Sequence, residues 1–297
     1  MNRIDQRFAR LKAERQKGLI LYIGAGDPDL EATRRLALEF DQLGVDVLEL
    51  GVPFSDPLAD GPVNQLAAQR GLASGTTPPG VLATVAAIRR QSEIPIVLYI
   101  YFNLAHRYGL RRFIEDAARA GVDGLLVLDL PPEEAGSCLG TPPPGGNPVL
   151  DQPREEGGSY QALMRQAGLC PIYLVAPTTP EARIELIVKG GAGFIYYVCR
   201  EGVTGMQTEV ARNIAQMTAK IRAHTSLPIA VGFGISTPEQ ARTVAAHAQA
   251  VVVGSAIVNQ IAQLGRDPAL VSRVADFVKP LVAAVKSLQG SEREKDS

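Results

Sequence analysis

Short apolar runs recur along the chain, separated by stretches of mixed polarity. Eight of them stand out: GLILYI (18–23), DVLEL (46–50), IPIVLYI (94–100), DGLLVLDL (123–130), PIYLVA (171–176), GFIYYV (193–198), PIAVGF (228–233) and QAVVVG (249–254). Each is too short for an independent helix and is rich in β-branched or aromatic residues, so each predicts a strand. They do not alternate polar with apolar, which is the pattern of strands covered on both faces of a parallel sheet. Helical periodicity fills the gaps at 30–44, 78–91, 110–121, 179–191, 209–224 and 237–247. Several of these stretches open on Thr-Pro, an N-cap followed by proline at the first helical position, and several close on glycine. Eight strand–helix steps predict an α/β fold, the (β/α)8 TIM barrel. The break after five or six strands that marks a doubly wound open sheet is absent from the pattern.

Three segments fall outside this rhythm. MNRIDQRFARLKAERQ, at the start, reads as a polar helix added before the barrel; it lacks the apolar run of a signal peptide and carries acidic residues unlike a transit peptide. Residues 136–158, GSCLGTPPPGGNPVLDQPREEGG, are dense in Pro and Gly and follow the fourth predicted strand. They read as an irregular, disordered insertion. GSEREKDS (290–297) reads as a frayed tail beyond a single domain of residues 1–289.

Composition narrows the function. The 297 residues are 46% hydrophobic, ample for a sizeable core, and the net charge is −1. No basic surplus points to nucleic acid or an anionic membrane. There is no apolar run of membrane-spanning length. Three cysteines without a CxxC pair fit a reducing compartment, so a cytoplasmic location is expected.

The chemistry-bearing stretch is LELGVPFSDPLADGP, Leu48–Pro62. Glu49 sits inside an apolar strand, one residue from its end, and barrels place their chemistry at the carboxyl ends of strands. A carboxylate there is costly unless paired, and burial raises its pKa towards the range of a useful acid/base. A structural ion pair is the competing reading of Glu49. Asp60 follows in the loop, where ADGP is also plain turn chemistry. Asp56 fits a turn or a partner contact better than catalysis.

Glycines supply the second signal. AVGFGIS carries Gly232 and Gly234 after the seventh strand, and VVVGSAIV carries Gly254 and Ser255 between the eighth strand and a helical pattern. Glycine-bearing ends on the last two strands match the phosphate site of barrels, where backbone N–H groups and a helix N-terminus hold the anion. Tight strand-to-helix turns are the competing reading. REGVTGMQ (200–207) is a third glycine loop, readable as a lid that adds the amide of Gly205 or as an ordinary connection.

Other mechanisms lack their residues. Lys12, Lys17, Lys189, Lys220, Lys279, Lys286 and Lys295 do not fall at strand ends, as a Schiff base requires. His106, His224 and His247 lie outside the strands, so no metal site is expected. Cys199 ends the sixth strand without a histidine beside it in the pattern. Proton transfer by carboxylates is what remains.

Leu48–Pro62 closely resembles the signature of the tryptophan synthase alpha chain family, as do YIGAGDPD (22–29), CREGVTG (199–205), GFGIS (232–236) and GSAIV (254–258), in family order over nearly the whole chain. The resemblance implies reversible retro-aldol cleavage of indole-3-glycerol phosphate to indole and glyceraldehyde 3-phosphate. By motif, Glu49 would be the acid/base at indole C3 and the side-chain hydroxyl, and Asp60 would accept the indole N–H. Tyr196 would border the substrate near Glu49. Tyr22, Tyr101, Leu126 and Asp129 would surround the indole or its way in. Gly205, Gly234, Gly254 and Ser255 would hold the phosphate. The family works as an α2β2 heterotetramer with a beta chain that carries pyridoxal phosphate, so no cofactor is expected in this chain. The loop bearing Pro53, Asp56 and Pro57 would face that partner. Residues 136–158 read as longer than the family pattern, and Gly24 stands where many relatives have a hydroxyl residue. A free-standing lyase, a regulatory subunit of the beta chain with little catalysis of its own, and another phosphate-binding barrel such as an isomerase are the competing functions. Retention of both carboxylates argues against the regulatory reading, and the Leu48–Pro62 motif against the isomerase.

Overall fold

The computed structural model describes residues 1–136, 159–199, 207–232 and 234–288. Its strands are β1 Gly18–Gly24, β2 Val47–Gly51, β3 Ile96–Ile100, β4 Gly124–Val127, β5 Cys170–Pro171, β6 Tyr173–Val175, β7 Ile195–Val198, β8 Ile229–Gly232 and β9 Ala250–Val253. All pair in parallel, in the order β5-β4-β3-β2-β1-β9-β8-β7-β6. Only Ile172 separates β5 from β6. Its N–H donates to the Leu125 carbonyl at 2.9 Å on the β4 side, while Tyr173 on β6 pairs with Ile195 of β7. The two pieces are one interrupted barrel strand, and the ring of eight closes through it.

The helices are α1 Arg3–Ala13, α2 Leu30–Gln42, α3 Pro62–Ala73, α4 Pro78–Arg89, α5 Phe102–Tyr108, α6 Leu110–Ala120, α7 Pro132–Ala135, α8 Tyr160–Ala167, α9 Glu181–Gly190, α10 Gln207–Arg222, α11 Pro238–Ala245, α12 Ser255–Leu264 and α13 Leu270–Lys286. Two of the Thr-Pro openings work as read, while at Thr179-Pro180 the proline itself is the N-cap of α9 and the Thr179 hydroxyl accepts the Ala176 N–H at 2.9 Å instead. Thr77 and Thr237 cap α4 and α11 with proline at the first positions, and Gln240 completes a capping box on α11. The helices α3, α5, α7, α8 and α13 lie outside the stretches the periodicity marks. Several of them are short or begin inside loop sequences, where tertiary packing outweighs local propensity. Strand β4 covers half of its expected span, although the Leu128 N–H just beyond it still donates to the Ile100 carbonyl at 3.0 Å. Most of the Pro/Gly-rich segment (137–158), and the tail, lie outside the described residues.

Register sorts the strand residues into two environments. Ile20 pairs with Val47, Tyr22 with Glu49, Glu49 with Val97, and Tyr99 with Leu126. These residues point into the barrel. Their neighbours Leu19, Leu21, Leu48, Leu50, Leu98 and Leu125 face the ring of helices and join one large outer core. The period-2 alternation therefore exists but is invisible as polarity, since both faces are apolar.

Helix α1 is not the polar helix its composition suggests. Ile4, Phe8 and Leu11 form one buried stripe and plug the amino end of the barrel, packing on Ile20, Val47, Cys170 and Phe194. Phe8 and Phe194 bring their ring centroids to 5.8 Å. The 4-then-3 spacing of these residues was the available signal. Buried carboxylates brace the same end. Asp46 accepts from the Leu19 N–H and from Lys286 at 2.7 Å, and Asp123 accepts from Arg89 at 2.7 Å and the Ile96 N–H at 2.8 Å.

Removing the plug's central ring should loosen this end. Phe8→Ala is expected to cost about 3 kcal/mol, the order for emptying an aromatic site. Urea denaturation should show a lower midpoint at an unchanged slope; an unchanged midpoint would show that α1 does not belong to the cooperative core.

Candidate active site

The carboxyl ends of β1, β2 and β3 carry the two carboxylates that the sequence singled out. Strand β2 places Glu49 inside the barrel between Tyr22 and Val97. The residue is 1% exposed, and among the described residues its Oε1 has no hydrogen-bond partner. Desolvation alone pushes its carboxyl up to about 8. The contrast with the other buried acids of the barrel is sharp. Asp46 and Asp123 hold Lys and Arg, and Asp27, in the loop after β1, holds Arg70 through two bonds of 2.8 and 2.7 Å. Among the described residues no cation pairs with Glu49. Burial in this apolar interior favours its neutral, protonated form.

Tyr22 and Tyr196 are the phenols nearest in effect to Glu49; burial and its charge both hold them well above their usual range, so they stay neutral. The Tyr22 hydroxyl lies so close to Gly51 that a Cβ there would sit 2.2 Å from it, and the Tyr196 hydroxyl crowds Gly232 in the same way at 2.7 Å. Two glycines of the motif stretches therefore make room for aromatic side chains at the barrel mouth.

Asp60 sits in a different setting. The loop from β2 folds back on itself through Leu58 N–H to Asp56 carbonyl at 2.9 Å and Asp60 N–H to Pro57 carbonyl at 3.0 Å. The Tyr101 hydroxyl accepts from the Ala59 N–H at 2.9 Å and donates to Asp60 Oδ2 at 3.0 Å. The Tyr99 hydroxyl donates to Oδ1 at 2.7 Å. Burial raises the Asp60 carboxyl, and the Tyr99 and Tyr101 hydroxyls, with the Asn64 amide, pull it back. Pro62 then starts α3 directly after the loop, and Gln65 reaches back to the Asp60 carbonyl at 2.9 Å. Asp60, Tyr22, Tyr99 and Tyr101 line one recess, together with Pro53 and Phe54. Tyr99 is the member that sequence reasoning missed. It looked like one more apolar residue of a buried strand; position 99 falls two residues before Tyr101, on the same face.

The remaining predicted residues separate. Leu126 is buried in the barrel interior against Tyr99, below the mouth. Asp129 is exposed and accepts the Phe102 N–H at 2.6 Å, fixing the start of α5 outside the recess. Pro53 is buried in this chain, and the closest side-chain neighbours of a Cβ added at Gly71 on α3 would be its ring atoms. Asp56 is exposed and Pro57 half-buried, and beside them Leu58, unmarked by the sequence reading, is 83% exposed. Gly205 lies outside the described residues.

Across the mouth, β9 ends at Val253 and α12 starts at Ser255 with Gly254 as its N-cap and no side-chain cap. Neighbouring α11 differs, since Thr237 and Gln240 occupy its first amides. Of these two neighbouring helices, α12 is the one whose amino end carries no side-chain cap. Gly234 adopts φ +52° and has open space around it. Among the described residues, no three His, Cys, Asp or Glu side chains group as metal ligands, and no helix is long and apolar enough to cross a membrane.

The sequence matches the family model described as tryptophan synthase alpha chain over residues 8–141 and 146–286. Only four residues of the Pro/Gly-rich stretch stay unmatched, a smaller excess than its composition suggests. Curated relatives include the tryptophan synthase alpha chains of Geotalea uraniireducens, 47% identical over 98% of this chain and 100% of the relative, and Geotalea daltonii, 45% identical over 96% and 99%. Among solved structures, tryptophan synthase subunit alpha from Legionella pneumophila superposes with TM-score 0.83 at 36% identity, covering 97% of this chain and all of that one. A chain of tryptophan synthase from M. tuberculosis gives 0.80 at 28% identity, covering 96% and 99%. The barrel, its two unlike carboxylates and these matches agree: the chain belongs to the tryptophan synthase alpha chain family.

Proposed function

We propose that this chain cleaves indole-3-glycerol phosphate reversibly to indole and glyceraldehyde 3-phosphate, as the alpha subunit of a tryptophan synthase. The observation that carries the reading is Glu49, a buried carboxyl with no cation among the described residues, together with a second carboxylate held in place by hydroxyls. The carbon–carbon bond breaks only if indole accepts its electrons. The protonated Glu49 gives its proton to indole C3, which makes the ring an indolenine, and Asp60 accepts the N–H and balances the positive charge on nitrogen. The resulting Glu49 carboxylate takes the proton of the side-chain hydroxyl. The C–O bond becomes the aldehyde, and the electrons of the broken bond return to the ring. Proton and electron counts balance, and Glu49 ends protonated as it began. In this reading Gly205, Gly234, Gly254 and Ser255 hold the phosphate, with α12 aiming its free amino end at the dianion. Tyr22, Tyr101 and Tyr196 bound the indole.

The partner is a beta chain that carries the pyridoxal phosphate and receives indole, in an α2β2 assembly in the cytoplasm. The exposed Leu58, on a loop folded tightly beside Asp56, supports a docking face there.

Indole release from indole-3-glycerol phosphate, measured with and without a beta chain, tests this. Weak cleavage alone, faster cleavage with the partner, and a loss of about 10²- to 10⁴-fold in Glu49→Gln are expected. Strong cleavage with no partner effect would favour a free-standing lyase. Ligand binding without cleavage would leave a regulatory barrel and refute the role given to Glu49.

The raised carboxyl sets two signs with pH. Cleavage starts from protonated Glu49, so kcat/KM should fall as pH rises through about 8. The folded pKa also exceeds the ordinary 4.5, so the stability that the neutral form gives is complete below 4.5 and lost as pH rises to about 8. Glu49→Gln should remove that loss and melt above wild type at alkaline pH, by a few kcal/mol at most on the order expected from such a shift. A wild-type chain at least as stable as the variant there would show that Glu49 has a partner.

A further inference from the structure

Tyr99 belongs to none of the roles assigned above, yet it makes the shorter of the two hydroxyl bonds to Asp60, 2.7 Å against 3.0 Å from Tyr101. The two phenols sit at successive inward positions at the end of β3, so one strand grips both oxygens of a carboxylate carried by a loop from another strand. Their situations differ. The Tyr101 oxygen also accepts the Ala59 N–H, so it serves the loop backbone. For the Tyr99 hydroxyl the bond to Asp60 is the one the geometry provides. The Tyr99 ring is fixed edge-on against Tyr22, with centroids 5.0 Å apart and planes at 67°, and its backbone carbonyl accepts the Val52 N–H at 2.9 Å. A rigid strand and a packed ring thus aim a single O–H at Oδ1.

We propose that Tyr99 is a positioning residue for the lyase reaction: its hydroxyl holds Asp60 ionised and fixes its rotation, so that the carboxylate meets the ring nitrogen of the substrate already oriented. This rests on the role given to Asp60 above. The physical need follows from burial. A carboxylate at the mouth of an apolar barrel gains a proton unless donors favour its charged form. Two phenols and a neighbouring amide supply donors without a cation, which would compete with the positive charge developing on the ring nitrogen. The phenols cannot surrender their own protons in exchange, because burial and the Asp60 charge hold both above their usual range.

The test titrates Asp60 directly by 13C NMR of its carboxyl carbon, beside the acid limb of kcat/KM. Wild type is compared with Tyr99→Phe, which keeps the ring against Tyr22. Loss of one bond to a charged acceptor should raise both the NMR pKa and the kinetic limb by about one pH unit. It should also lower kcat at pH 7 by about tenfold with little change in KM. A second variant carries 3,5-difluorotyrosine at position 99, a stronger donor, and should move both readouts down. Opposite shifts from the two variants are not expected of a residue that only fills space. An NMR pKa that ignores both variants would overturn the proposal, as would a kinetic limb that stays put while the NMR pKa moves. If wild type does not cleave indole-3-glycerol phosphate, the proposed function fails first; the NMR arm then still decides whether Tyr99 holds Asp60 ionised, and an unmoved pKa refutes that as well.

Discussion

A carboxyl group kept from water with no cation beside it is the constraint that organises the upper half of this barrel. Among the described residues five acidic side chains are buried: Asp27, Asp46, Glu49, Asp60 and Asp123. Three of them hold Arg or Lys and serve the architecture. One is held by phenols and an amide, and the Oε1 of Glu49 has no partner among the described residues. An arginine reaching Glu49 would have stabilised the fold and ended its use as an acid. The neutral form is tolerated only because the surrounding strands are apolar on both faces and keep the desolvation intact.

The two ends of the barrel divide the work accordingly. At the amino end, α1 fills the opening with Ile4, Phe8 and Leu11, and charged groups brace the strand starts through Asp46 and Asp123. At the carboxyl end, glycines replace side chains where Tyr22 and Tyr196 need room, and a recess stays open beside Asp60. Stability is concentrated where nothing reacts, so the mouth can hold an unpaired acid and an uncapped helix without unfolding the whole.

The sequence made the barrel legible because β-branched runs, Thr-Pro caps and terminal glycines are local signals. Glu49 was legible too, as a charge in an apolar strand has few explanations. Other parts were hidden for physical reasons. The buried stripe of α1 was masked by its charged residues, although the spacing of Ile4, Phe8 and Leu11 carried it. Strand five splits at Ile172, which no local pattern announces. Pro53 reads as a loop proline but is buried against α3, a fact set by the position of Gly71, 18 residues on. Tyr99 is the clearest case. Only the fold brings Asp60, 39 residues earlier, onto its hydroxyl. A long-range polar contact between two individually ordinary residues leaves no trace in periodicity or composition.

Under the proposed reaction, the unlike surroundings of Glu49 and Asp60 explain why one Glu and one Asp stand at these places. The acid/base must reach a ring carbon and change protonation in each cycle, so it gains from a fixed strand, a longer side chain and no competing donors. The group that faces the ring nitrogen must stay charged throughout, so it gains from donors and from a short side chain with little freedom to lose. Exchanging the two environments would invert both properties: donors around Glu49 would leave it ionised and unable to start the reaction, and a bare Asp60 would take up a proton and offer the nitrogen no charge. In that reaction the pair would work as a unit defined by the strand β3 phenols as much as by the carboxylates. The β2 loop has meaning only in the register that puts Tyr99 and Tyr101 beneath it.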